Sequence, residues 1–457
     1  MTKDYFGLIE IFAALSWLLV ILAVAFFIKS INSEKPHYRY YMRNVYFKLT
    51  LGLVYGVYYS MFYYDGGDTV SYFDGAIKLN NLLFDNPSYY FTEMWNTTSP
   101  SSYPYRFNAS TGIPPISIYR ENEAWFICKI FSFFSLITFK SYWGSSFLAS
   151  FILANVSWKF YDLVVKLKSH SHGYAAFAIL FIPSVSFWCA TVSKDMISIT
   201  ATFYIIVSLF KIFLRGEKMS LWNWITFFIS VYLIAQIRTV YLMALFAPIL
   251  FVFTSKIRQR LTSYQGFAST INYLLLIVFF TGTFFLMSTQ GNAFQSYIDE
   301  AAIINQDFTH NETYGSKKYD LGITDFSAFG MIKAFPFAVV AGIYRPYIWE
   351  ALSVTLILNG IESIILIYLT WRFFRTKKFR KKINQIRKNE LMMYLFYYAI
   401  LMAFMAGFTG VLFGVLVRFK AAVLPFVATL LTFEMGLNDA QADENKQPSI
   451  NEQLPPN

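Results

Sequence analysis

Residues 7–28 read GLIEIFAALSWLLVILAVAFFI, a run with one charged side chain. As a helix it would extend about 33 Å, enough to cross the ~30 Å hydrocarbon core of a bilayer. No small-residue cleavage site follows, so the run reads as a retained membrane helix rather than a removed signal peptide. Working outward, comparable apolar runs lie at 45–63, 143–165, 173–191, 196–214, 220–236, 239–254, 268–288, 351–372, 391–409 and 411–433.

Composition agrees. Of 457 residues 56% are apolar, 20% are aromatic and only 14% are charged, with a mean hydropathy of +0.43. Soluble domains carry roughly 25% charged residues. A chain with this little charge cannot cover a soluble surface, and one this apolar is not disordered. The net charge of +11 does not indicate nucleic acid. The basic residues gather in short segments between apolar runs, as orientation signals of membrane proteins do. Cys128 and Cys189 sit in apolar stretches and form neither a disulfide framework nor a metal-binding pair.

Basic clusters at 29–48, 166–172, 215–218, 256–260 and 372–388 all fall on the cytoplasmic side if 123–139 and 331–349 do not cross. The expectation is therefore an all-α, polytopic membrane protein of about eleven transmembrane helices, with two interfacial or re-entrant helices on the outer face. Its N-terminus is outside and its C-terminus cytoplasmic, in the cell inner membrane. The membrane domain covers 1–436, with outer loops at 64–122 and 289–330. The polar tail 437–457 reads as disordered. No fixed-period repeat and no pair of broken helices is evident, which weighs against a secondary transporter.

Several residues stand where chemistry is feasible. In YYDGGDTVSYFDGA (63–76), Asp65 and Asp68 bracket two glycines that allow a tight turn, and Tyr72 and Asp74 follow on a short helix. Two carboxylates at a membrane boundary suit a general base or a metal ligand; the same residues also spell an ordinary turn and helix start. In PSVSFWCATVSKD (183–195), Lys194 and Asp195 either pair with each other or face a cavity. Arg238, Arg345 and its neighbour Glu350, Arg418 and Lys420 lie near the expected outer ends of helices, where topology gives no reason for positive charge. Arginine suits bidentate phosphate binding, whereas an Arg345–Glu350 ion pair is the structural alternative. No Walker loop, GxGxxG, HExxH or GxSxG motif is present.

The acidic first outer loop, LFIPSVSFWCATVSKD, IYRPYIWEA and VRFKAAVLPF together resemble the GT-C superfamily of polyprenyl-phosphate-dependent glycosyltransferases, in a branch of multispan proteins of the Bacteroidetes type. The resemblance implies a transfer of sugar from a polyprenyl-phosphate donor to a cell-surface glycan or lipid acceptor. It assigns the catalytic carboxylate to Asp68, or else Asp65. Donor phosphate would be held by Arg345, Arg418, Lys194, Arg238 and Lys420, with Asp195, Tyr72, Asp74 and Glu350 near the cavity. The motif departs from the family's usual Asp-Glu or Asp-x-Asp pair. No soluble cofactor is implied, and a divalent cation is compatible without being required. Partners would be the donor lipid, the acceptor and membrane lipids. A polysaccharide polymerase or O-antigen ligase, and a non-enzymatic lipid-linked-oligosaccharide flippase, are the alternatives.

Overall fold

A computed structural model describes residues 7–63, 66–167, 171–213, 218–260, 318–319, 321–322, 328–351, 353–376, 379–433 and 435. It is all-α: the described residues hold no strand, only an isolated bridge between Lys318 and Leu412. Helices α1 (Leu8–Ile31) and α2 (Tyr41–Val57) are joined by a 3-10 turn at Pro36–Tyr40, and α2 continues into a π-helical segment, Tyr58–Phe62. Next come α3 (Gly67–Asp85), α4 (Pro87–Trp95), α5 (Ile116–Arg120) and α6 (Asn122–Ile137). They are followed by α7 (Tyr142–Lys166), α8 (His172–Ile179), α9 (Pro183–Trp188), α10 (Lys194–Phe213), α11 (Leu221–Ile237) and α12 (Thr239–Arg260). The last described stretch holds α13 (Ala328–Tyr344), α14 (Val354–Arg375), α15 (Phe379–Lys388), α16 (Glu390–Thr409), α17 (Phe413–Ala421) and α18 (Leu424–Leu431).

Five of these are long and apolar enough to cross a membrane: α1, α7, and the apolar stretches of α10, α14 and α16. The pair α17–α18, bent by 59°, makes a sixth if it crosses as one broken span. This is fewer than the eleven expected from the apolar runs. The run at 268–288 lies outside the described residues, as do most of 289–330 and all of 437–457. The runs at 220–236 and 239–254 form α11 and α12, whose apolar lengths are shorter. The region 64–122, expected as a loop, holds three helices.

The run 173–191 departs most from expectation. Its apolar residues form two short helices, α8 and α9, because Pro183 lacks an N–H and starts a helix better than it continues one. Pro425 likewise sits in the first turn of α18, after the bend. Helix α8 packs on α18 and α9 on α17, so the two interrupted segments lie side by side in opposite directions.

Breaks inside an apolar bundle expose backbone groups that need partners. Buried side chains supply them. Lys48 of α2, fully buried, donates from Nζ to Leu180 O (3.0 Å) at the end of α8 and to Ser186 Oγ (2.7 Å) on α9. Glu362 of α14 accepts from Ser184 N at 2.7 Å. Each charge matches the helix end it meets, cation at a C-terminus and anion at an N-terminus. Lys48 is thus a structural member of the bundle rather than part of the basic loop at 29–48. The same device starts α7: Oε1 of the buried Glu10 accepts from Tyr142 N (2.6 Å), Trp143 N (3.2 Å) and Ser141 Oγ (3.0 Å).

Helix α13 was expected to lie on the outer face. It packs along α16 through small residues spaced four apart on both, Ala338 and Gly342 against Ala403 and Gly407. This is the close-approach pattern of membrane helix pairs. Helix α6 covers 16 residues, about 24 Å, and is too short to span. It buries Trp125, Cys128 and Phe131 against its neighbours, chiefly α3.

Candidate functional site

The turn that opens α3 is built by two glycines with left-handed backbones, Gly66 (φ 71°) and Gly67 (φ 58°). A Cβ on Gly66 would meet Val70 at 2.4 Å, so no other residue fits. The turn places Asp68 in the first helical turn, where the helix dipole favours its negative charge. Asp65 lies outside the described residues. Tyr72, one turn further along α3, is buried; burial and the nearby Asp68 and Glu121 push its phenol well above its ordinary range, so it stays a neutral donor.

Asp68 meets Arg418 of α17, Oδ2 to Nη1 at 2.9 Å. Nη2 of the same guanidinium is 3.5 Å from Tyr59 OH, and its carbon lies 5.3 Å from the ring centre of Trp188. Tyr59 also contacts the rings of Tyr55 and Tyr63. The pair therefore has an aromatic wall, from the π-helical end of α2 and from α9.

A second pair adjoins it. Arg238, between α11 and α12, contacts Asp195 of α10 at 2.7 Å and lies 4.4 Å from the ring of Phe419, the residue after Arg418. Lys194 and Asp195 do not pair with each other. Consecutive residues on a helix diverge by about 100°. Lys194 instead holds Glu121 and, at 3.4 Å, Glu123, both at the start of α6. Burial raises the Glu123 carboxyl above the usual range, with Lys194 opposing the rise.

The remaining candidates lie apart from this cluster. Residues 418 and 420 differ by about 200° around α17, so Arg418 and Lys420 face opposite ways. Lys420, fully buried, donates to Ser363 Oγ (2.7 Å) and to Arg345 O (3.1 Å), the first carbonyl beyond α13. Arg345 pairs with Glu350 at 3.3 Å and lies over the rings of Tyr319 and Tyr347. Asp74 is also separate, bonded to Lys78 one turn along α3. The five cations expected to share one phosphate thus divide into two groups, Arg418, Arg238 and Lys194 in one and Arg345 and Lys420 in the other.

Charge balance is the other finding. Arg418, Arg238, Lys194 and Arg345 each face a carboxylate, and Lys420 is held by neutral oxygens. The two pairs nevertheless differ. Arg238 and Asp195 are 16% and 8% exposed, whereas Arg418 and Asp68 are 27% and 51% exposed. The second pair is the more exposed of the two, chiefly through Asp68. Tyr59, Trp188, Glu121 and Glu123 complete the cluster without having stood out as site residues. Their signal was an aromatic or an acid beside each motif, with nothing to say which cation it would meet.

Among the described residues no group of three or more His, Cys, Asp and Glu side chains is placed to hold a metal ion. Comparison of the chain with protein-family models, with curated proteins and with solved structures finds no match.

Proposed function

We propose that the chain is a membrane glycosyltransferase that moves a sugar from a polyprenyl-phosphate donor to a cell-surface glycan or lipid acceptor, with Asp68 and Arg418 at its centre. In this reading it resides in the inner membrane with its N-terminus outside. The observation that supports it is the accessible Asp68–Arg418 pair against Tyr59 and Trp188. The donor phosphate takes the planar donor face of Arg418, for which guanidinium geometry is suited. Asp68, released from the pair, accepts the proton of the acceptor hydroxyl as that oxygen attacks the anomeric carbon. The bond from that carbon to the phosphate oxygen breaks, and the lipid phosphate leaves on Arg418. Tyr59 and Trp188 offer apolar faces for the sugar ring.

A second reading has an observation in its favour. The two interrupted segments α8–α9 and α17–α18, with Lys48 and Glu362 at a break, have the form of the discontinuous helices of transporters. A lipid-linked-oligosaccharide flippase would use the same basic site without a base.

The test is mass-spectrometric profiling of polyprenyl-linked and surface glycans in a strain lacking the protein, then complemented. A transferase predicts an accumulated lipid-linked sugar that Asp68→Asn does not clear, since a general base contributes about 10²–10⁴ in rate. Accumulation cleared as well by Asp68→Asn as by wild type favours the flippase. Unchanged profiles refute both.

A further inference from the structure

Between α13, α14, α15, α16 and α18 lies a cavity of about 440 Å³, within the ~300–1,000 Å³ range of small-molecule sites. Its wall is largely hydrocarbon, including Phe374 from α14, Ile383 and Ile386 from α15, and Phe396 and Ala399 from α16. Tyr344 and Thr370, which also line it, satisfy each other through a hydroxyl contact of 2.8 Å. Arg387 brings charge to the wall and is exposed at the rim, and it has no carboxylate partner among the described residues.

Two further features concern the surroundings of the cavity. Helix α15 (FRKKINQIRK) turns Ile383 and Ile386 to the cavity and leaves Arg380, Lys381, Arg387 and Lys388 exposed. A short helix with one apolar and one strongly basic face is the form of interfacial segments that attract anionic lipids. The end of α14 beside it carries exposed Tyr368 and Trp371, with Arg375 lying 5.0 Å from the Trp371 ring. Tyr, Trp and Arg together at a helix end mark the membrane–water boundary. Phe374 and Phe396 line the cavity and are also exposed on the flank, so it opens sideways at that level.

We propose that this cavity holds a hydrocarbon chain of an anionic phospholipid, whose phosphate lies on Arg387 and the basic face of α15. None of the residues that line this cavity belongs to the cluster around Asp68, Arg418, Asp195 and Arg238. The site is therefore separate from the Asp68–Arg418 pair and independent of the reaction proposed for it.

Native mass spectrometry of the full chain in detergent, with dioleoyl-phosphatidylglycerol, dioleoyl-phosphatidylcholine or inorganic phosphate added, tests the proposal. Phosphatidylglycerol is expected to be retained in preference to phosphatidylcholine and not displaced by inorganic phosphate. Arg387→Gln should weaken its retention about fivefold, the worth of one basic residue near an anionic head group, and leave phosphatidylcholine unchanged. Ala399→Trp, which fills the cavity, should abolish retention of both. Equal retention of the two lipids by wild type, or no effect of Arg387→Gln, overturns the proposal. So does displacement by phosphate alone. Arg387 is exposed and its replacement needs no repacking, so that variant decides the matter even if Ala399→Trp does not fold.

Discussion

The contact between α13 and α16 gives a stability prediction whose sign depends on backbone geometry. A Cβ on Gly407 would stand 1.9 Å from Ala338 O, and one on Gly342 would stand 2.0 Å from Ala403 O. Both obstacles are main-chain atoms of a helix, so no rotamer change relieves them, and one helix must retreat by more than an ångström. Overpacking costs typically ~1–3 kcal/mol, and a backbone obstacle belongs at the upper end. Alanine returns roughly 0.8–1.0 kcal/mol through its better helix propensity. Gly407→Ala should thus lose about 2 kcal/mol net, and Gly342→Ala the same. Gly414, in α17, has no atom within 4 Å of where a Cβ would go. Gly414→Ala should be neutral or more stable by up to about 0.5 kcal/mol. The double variant Gly342→Ala/Gly407→Ala should lose less than the sum, since helices already parted for one methyl admit the second. Urea titration of the detergent-purified proteins, followed by tryptophan fluorescence, measures all four. Wild-type stability in Gly407→Ala would show that the two helices do not touch as described.

Three other perturbations are predicted. Glu10→Ala removes the acceptor for Tyr142 N and Trp143 N and should cost about 2–3 kcal/mol, while Glu10→Gln, which keeps one carbonyl oxygen, should retain most of the stability in the same titration. Asp195→Asn breaks a buried pair and should cost about 3 kcal/mol, whereas Asp68→Asn breaks an accessible one and should cost about 1 kcal/mol or less; equal losses would remove the distinction between the pairs. His37, stacked on Trp158 and 3.2 Å from Asp162, has its pKa held below 6.5 by burial, with Asp162 opposing. The folded state therefore binds fewer protons there than the unfolded chain, so this contribution is full above pH 6.5 and is lost as pH falls through the lowered value. The unfolding midpoint of wild type relative to His37→Gln, measured from pH 8 to 5, should narrow on the acid side, and a constant gap would refute the assignment.

The membrane class was legible because it follows from composition, which needs no knowledge of contacts. The helix interruptions were not. Pro183 and Pro425 are local signals that equally suit the first turn of a continuing span. What stabilises a break inside the bundle is distant in sequence: Lys48 is 132 residues from Leu180, and Glu362 is 178 residues from Ser184. The cations near helix ends were visible one by one for the same reason that their partners were not. Asp68 and Arg418 are 350 residues apart, and Asp195 and Arg238 are 43 apart. At Lys194 and Asp195 adjacency left pairing with each other as one of two readings, and each residue instead meets a distant partner, Glu121 and Glu123 for Lys194 and Arg238 for Asp195. Hydrophobicity reports where a chain leaves water. It does not report which buried charge will meet which helix end.

The compensated charges bear on how an anionic ligand could enter. A phosphate reaching this cluster finds each exposed cation already paired, so it must displace a carboxylate rather than fill a vacant positive site. Displacement from Arg238 would leave Asp195 buried and unpaired, a loss of about 3–5 kcal/mol. Displacement from Arg418 leaves Asp68 half in water, and an exposed pair is worth only about 0–1 kcal/mol. Exchange is therefore favoured at Arg418 by a factor of about thirty or more, a difference of at least about 2 kcal/mol at about 1.4 kcal/mol per tenfold. The buried pair gains a different role from the same comparison. Arg238, fixed by Asp195, lies on Phe419 and so braces the turn of α17 that carries Arg418. In the proposed reaction one pair gives way while the other holds, and the carboxylate that would be freed is Asp68, the one assigned as base.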